Sequence, residues 1–445
     1  MTNEFIIIAS FVISIALIIL LTARFKVNAF YVLILIGIGM GLVSGLSPEK
    51  VIQVLKEGFG NTLASIGLII VFGTTLGLVL EKTGAAYTMA EYILKKVGTK
   101  NAPLAMTITG FIFGIPIFCD SGYVVLSSLN KSVAARTRKS MTIMGSLLGI
   151  SLYSVHCLIP PHPGATAAAG IIGASIGKLM LIGLGIAMIA LAAGFLWIRF
   201  LEKRNDQPDF EIKSDMNQPE SALLRYPLLS FLPVFLPIVL IAIKSVLLMY
   251  SISTGGLLVT IIYFIGDPAI ALLIGIVISL FVNTDFKFNL IHSVLEDSIK
   301  NAGIILLITA AGGAFGAILK ASGVGTIIGE QLSQSGLGIF IPFLIAAGLK
   351  TAQGSSTVSI ITTSSIILPM LSELQLATEM GLILAVLSMG AGSMVFSHTN
   401  DSYFWVVTKF SSIELNKSLK VFSSSTIVLG LSAQIIIFLL AQFLI

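Results

Sequence analysis

Long apolar blocks separated by short polar connections dominate this chain. Neither the period-2 alternation of a half-exposed strand nor the one-sided stripe of a soluble helix organises them. About 20 consecutive apolar residues are needed to cross a bilayer as a helix. On that measure, spans are predicted near residues 5–23, 28–46, 62–80, 178–199, 226–249, 269–283, 303–319 and 421–444. Four further apolar stretches are interrupted. Segments 103–118 and 122–134 flank Cys119-Asp120-Ser121-Gly122, and segments 336–349 and 355–371 flank Gln353-Gly354-Ser355-Ser356-Thr357. Each arm is short for a crossing, so each pair predicts a re-entrant hairpin. Segment 140–177 contains Pro160-Pro161-His162-Pro163-Gly164-Ala165-Thr166, and segment 379–410 contains His398-Thr399-Asn400-Asp401. Proline lacks an N–H and clashes with the preceding turn, so the first of these segments is a broken helix; the polar cluster marks the second as another. Residues 255–266, ahead of Asp267-Pro268, predict a short interfacial piece rather than a span.

Composition narrows the class. The chain is 56% hydrophobic and 11% charged over 445 residues, with a mean hydropathy of +1.01. Soluble domains carry about 25% charged residues. The expectation is an all-α polytopic membrane protein of about ten spans and two hairpins. The net charge of +5 does not point to nucleic acid, because the basic residues lie in short connections between apolar runs. Cys119 and Cys157 both stand in apolar context, which argues against a disulfide framework. The first apolar run follows Glu4 and precedes Arg24 and Lys26, the reverse of a signal peptide, so it is expected to stay as a first span.

The two halves repeat. Gly73, Gly77, Leu80 and Gly84 correspond to Gly312, Gly316, Leu319 and Gly323 at an offset of 239. Residues 202–224, with nine charged residues from Glu202 to Glu220, form the natural linker between a first repeat (1–201) and a second (225–445). Five crossings separate the starts of the copies, which makes them inverted, a transporter signature. The resulting topology collects 20 Lys and Arg on one side and six on the other, the six being Lys50, Lys56, Lys178, Lys244, Lys320 and Lys350. By the positive-inside rule the first side is cytoplasmic and both termini face outward.

If the hairpins dip to mid-membrane, the four interruptions converge and each presents a helix N-terminus. Free N–H groups and the helix dipole bind anions there without a buried Arg or Lys. Candidate substrate-binding residues are Asp120, Ser121, Gly122, His162, Gly164, Thr166, Gly354, Ser355, Ser356, Thr357 and Asn400. Ionisable groups inside membrane segments are costly and point to function. His398, Asp401, Asp120 and His156 are therefore candidates for proton coupling. A metal-dependent intramembrane hydrolase would use the same histidines, but a five-residue gap holding prolines is not a helical metal pair. A channel would need no paired inverted hairpins. Neither an enzymatic activity nor a cofactor or metal is expected.

These motifs carry a resemblance to a known family. Phe118-Cys119-Asp120-Ser121-Gly122-Tyr123, His156 with Pro160-Pro161-His162-Pro163-Gly164, Gln353-Gly354-Ser355-Ser356-Thr357-Val358 and His398-Thr399-Asn400-Asp401-Ser402 resemble the gluconate permease (GntP-type) family. The resemblance runs from about Gly58 to Trp405. It implies a bacterial cytoplasmic-membrane symporter for a small hydroxy- or amino-carboxylate, such as a gluconate-like sugar acid, D-serine or glycerate, driven by protons or alternatively by sodium. It also implies a homodimer whose hairpin domain moves as an elevator. The chain departs from the family pattern at Ser121, Tyr123 and Ala165, and the hydroxyl of Ser121 leaves the substrate open.

Overall fold

The computed structural model describes residues 3–98, 101–204, 227–249, 256–282, 288–324, 327, 336–399 and 401–445, and every regular element among them is helical. The first half holds α1 (Asn3–Ile19), α2 (Ala29–Val43), α3 (Pro48–Lys82), α4 (Ala85–Val97), α5 (Ala102–Gly114), α6 (Cys119–Thr137), α7 (Met141–Leu158), α8 (Pro163–Ile172) and α9 (Ile176–Arg204). The second holds α10 (Leu232–Met249), α11 (Leu257–Ile265), α12 (Pro268–Val282), α13 (Phe288–Ala321), α14 (Phe340–Gln353), α15 (Ser356–Ile367), α16 (Glu379–Met394), α17 (Ser402–Phe410) and α18 (Ser424–Leu444). Six helical segments among the described residues are long and apolar enough to cross a membrane. This is a multi-pass, all-α membrane protein. The pair formed by α11 and α12 bends by 74° between Ile265 and Pro268, so the two helices do not form one straight span. Most of the expected linker, residues 205–224, lies outside the described residues.

The long helices depart from the predicted spans. α3 begins at Pro48, well before residue 62, because Ser47 caps it by accepting the Lys50 N–H at 3.3 Å and proline suits the first helical position. α13 is likewise helical from Phe288, well before residue 303. α4 was not predicted: its residues alternate too strongly for a span, and Ala85, Met89 and Ile93 bury one face while Lys95 and Lys96 stay exposed.

α3 and α13 cross where both are small. A methyl group on Gly58 would lie 2.7 Å from Ala317 Cβ, and one on Gly313 would overlap Thr62 Oγ1. The paired glycines of the repeat face the interrupted elements instead. A Cβ on Gly73 would lie 2.9 Å from Pro161, and one on Gly77 would lie 2.6 Å from the Pro116 carbonyl. In the second half, Gly316 lies against Ser365 of α15, whose hydroxyl donates to the Gly312 carbonyl at 2.6 Å. Each long helix therefore carries a smooth groove in which a break or hairpin arm is seated.

Charged pairs stand at the two ends of α9. Lys139 and Arg199 both pair with Glu202, while Lys178 meets Glu379 at 2.6 Å about 30 Å away along the helix. Lys350 does not belong with the loop charges. It is buried in the protein interior, with 1% of its surface exposed.

Candidate functional site

The interruptions fall where backbone chemistry stops a helix. In the first hairpin, α5 ends at Gly114 and α6 starts at Cys119, so the break is Ile115-Pro116-Ile117-Phe118 and not Cys119 to Gly122. Pro116 cannot continue the ladder, and Asp120, Ser121 and Gly122 become the first turn of α6. Gly122 donates to the Phe118 carbonyl at 2.8 Å, and a side chain there would press on Leu152 at 3.0 Å. In the second hairpin Gly354 takes a left-handed φ of +84°, and Ser355 caps α15 by accepting the Val358 N–H at 3.3 Å. The broken helices part at Ile159 to His162 and at Val395 to Asp401.

The second hairpin and second break meet at an ion pair. Lys350 Nζ lies 2.5 Å from Asp401 Oδ2, with 0% and 5% of the two side chains exposed. The same ammonium donates to the Gly354 carbonyl at 3.1 Å and lies 5.9 Å from the centre of the Tyr153 ring. Ser397 also donates to Asp401 Oδ2, and Asp401 Oδ1 caps α17 by accepting the Tyr403 N–H at 3.0 Å. Both carboxylate oxygens of Asp401 are thus engaged. His398 is half-buried, packed on Phe396 at 4.7 Å, with Nε2 3.3 Å from the Thr351 carbonyl.

The first hairpin and first break meet at a pair of histidines. His162 Nε2 lies 2.5 Å from the Gly114 carbonyl, and the two imidazole rings are 4.8 Å apart. Phe118 covers both rings at about 6 Å, with centroid distances of 6.2 and 6.0 Å. His156 sits in the last turn of α7, ahead of the break rather than in it. Its Nδ1 and the Thr166 hydroxyl are buried without a hydrogen-bond partner. No group of three or more His, Cys, Asp or Glu side chains among the described residues could hold a metal ion.

Tyrosines and close packing join the two halves of the site. Tyr153 stacks on Tyr403 at 5.2 Å, and Tyr123 meets Tyr403 edge-on at 6.2 Å. The hydroxyl of Tyr153 donates to the Ser393 carbonyl at 3.1 Å, and that of Tyr403 donates to the Gly149 carbonyl at 2.9 Å. Gly164 at the start of α8 lies against Thr357 and Ile360 in the first turns of α15. The first turns of α8 and α15 are therefore neighbours, and Asp120 of α6 lies within electrostatic reach of Asp401 and Lys350.

Of the residues expected from sequence, Asp120, His156, His162, Gly164, Thr166, Gly354, Ser355, Ser356, Thr357, His398 and Asp401 all stand at or beside the four breaks. Ser121 contributes its backbone to the first turn of α6, and Asn400 lies outside the described residues. Lys350 was missed. The charge count places it with the six Lys and Arg of the outer side; the structure instead buries it, four positions before Gly354. Its position between the two predicted arms, 336–349 and 355–371, three residues before the Gln353-Gly354-Ser355 interruption, was the available signal.

Comparison with known proteins agrees with this architecture. The chain is 35% identical over 440 residues to an uncharacterized permease of Haemophilus influenzae, covering 94% of this chain and 89% of that one. It is 33% identical to the high-affinity gluconate transporter of Escherichia coli, covering 92% and 94%, and 30% identical to an E. coli D-serine transporter, covering 99% of each. In fold it is similar to the YdaH transporter of Alcanivorax borkumensis, whose crystal structure shows an unusual topology, with a TM-score of 0.65 at 15% identity over 94% of this chain and 98% of the other. The family model for GntP family permeases matches residues 6–444, and the chain belongs to that family.

Proposed function

We propose that this permease imports a small hydroxy- or amino-carboxylate across the bacterial cytoplasmic membrane by proton symport. The observation that carries the reading is a buried ammonium, Lys350, beside the capped N-termini of α15 and α17. An ammonium and helix N-termini brought together in the interior suit an anion. Gluconate, L-idonate and D-serine, named for relatives of this chain, share a carboxylate with a polar group on the adjoining carbon. The hydroxyls of Ser355, Ser356, Thr357 and Thr166 and the backbone of Asp120, Ser121, Gly122, Gly164 and Gly354 supply partners for both, with His162 and Asn400 completing the set. His398, Asp401, Asp120 and His156 are the groups that exchange the proton. The protein works as a homodimer in which the hairpins and broken helices shift against α3 and α13.

The test is uptake of labelled gluconate, D-serine and glycerate into proteoliposomes under a pH gradient or a sodium gradient. Accumulation of at least one of them under the pH gradient alone is expected. Uptake that follows sodium and ignores pH would replace proton coupling with sodium coupling.

A further inference from the structure

We propose that Lys350 is the carboxylate-binding cation of the transport site, and that Asp401 occupies it as an internal stand-in until protonation releases it. The proposal rests on the reading of the chain as a carboxylate:proton symporter and names the device that links the two ligands.

Three observations lead to it. First, Lys350 is wholly buried, and among the described residues no other lysine or arginine is buried. A membrane interior excludes such a charge unless it serves a function. Second, Asp401 Oδ2 at 2.5 Å is itself a carboxylate oxygen, so the contact has the geometry an incoming substrate carboxylate would need. Third, the chain neighbours of the pair reach the surface: Thr351 next to Lys350, and Thr399 and Ser402 near Asp401, are exposed. Both partners also sit at breaks, Lys350 tied to Gly354 and Asp401 at the start of α17.

Charge balance then dictates coupling. The titratable groups within electrostatic reach of Asp401 are Lys350 from α14, Asp120 and Cys119 from α6, Tyr153 and Cys157 from α7, and Tyr403 from α17. Only one of them is a permanent cation. A substrate carboxylate on Lys350 would add a further negative charge where Asp401 already pairs with the one ammonium and Asp120 lies within reach, in a low-dielectric interior. Protonation of Asp401 Oδ2 removes one negative charge: the Nζ–H···Oδ2 contact breaks, a new Nζ–H···O contact to the substrate forms, and the site charge is unchanged. One proton therefore enters with each substrate carboxylate. After the substrate and proton leave, Asp401 closes again on Lys350, which keeps the empty carrier from conducting protons alone.

The experiment uses full-length protein in proteoliposomes with Lys350→Gln, Asp401→Asn and the double variant, whose neutral pair avoids an isolated buried charge. Two readouts are compared: exchange of labelled substrate with unlabelled substrate, and accumulation driven by a pH gradient. Asp401→Asn is expected to retain exchange, now independent of pH, and to lose accumulation. Lys350→Gln is expected to weaken the apparent substrate affinity roughly tenfold to a hundredfold, as loss of a charged hydrogen bond does. A folded double variant that accumulates substrate like the wild type would overturn the proposal, because the pair would then be structural only. So would Asp401→Asn with intact accumulation. Failure of the wild type to carry any carboxylate would instead refute the functional reading, and the proposal with it.

Discussion

Gly58 of α3 and Ala317 of α13 lie so close that a methyl group on the glycine would sit 2.7 Å from the alanine Cβ and 2.8 Å from the Gly313 carbonyl. The two long helices of the repeat are in near-backbone contact, with Thr62 and Gly313 completing the crossing. Substituting Gly313→Leu should force them apart and cost about 1–3 kcal/mol, as overpacking does. Thermal unfolding in detergent would show it. Thr62→Ala should rescue Gly313→Ala only in part, because the Gly58 carbonyl stays in the way.

Lys350→Ala leaves Asp401 buried without its cation. Breaking a buried pair by removing one partner costs about 3–5 kcal/mol. A melting temperature close to the wild type would show that water already reaches Asp401. Adding Asp401→Asn to the same chain should recover most of the loss, since both charges are then gone.

Lys178→Ala offers the contrast. Its pair with Glu379 has 25% and 59% of the side chains exposed, and such pairs contribute about 0–1 kcal/mol. Unfolding should shift by less than 1 °C or so per few tenths of a kcal/mol, and less still in high salt.

Ser355→Ala removes the cap of α15 at the second hairpin tip. The expected loss is about 1 kcal/mol. Because the cap also positions the first turn of α15, transport affinity should fall more than stability. Ser355→Asp, which keeps an acceptor, should restore the stability and impair binding of an anion; equal recovery of both would separate Ser355 from the site.

The sidedness inferred from charge can be tested by chemistry. Cys119 and Cys157 are buried, so the background reactivity toward a membrane-impermeant maleimide should be low. Lys178→Cys should react from outside intact cells, and Lys139→Cys only after the membrane is opened. The opposite pattern would invert the assigned orientation.

The breaks were legible because prolines, glycines and small polar residues interrupt otherwise apolar runs. His162, Gly354 and Asp401 each stand where a helix starts or stops for a local reason. The hairpin tip at Pro116 was displaced by several residues, since Cys119 to Gly122 look equally unlike a span although they are helical. The extensions of α3 and α13 were hidden because hydropathy reports lipid exposure, and a helix can continue past the lipid. Lys350 escaped because a lone lysine near a span end reads as a topology signal. Only the fold brings it to Asp401, 51 positions away.

The tyrosine hydroxyls have a consequence for how the chain assembles. Tyr153 of the first repeat finds its acceptor at Ser393 in the second, and Tyr403 of the second finds its acceptor at Gly149 in the first. The two sequence halves thus satisfy part of each other's interior, and neither is expected to fold independently in spite of the charged segment between them. Two halves made as separate polypeptides would each be degraded alone and would complement one another when produced together.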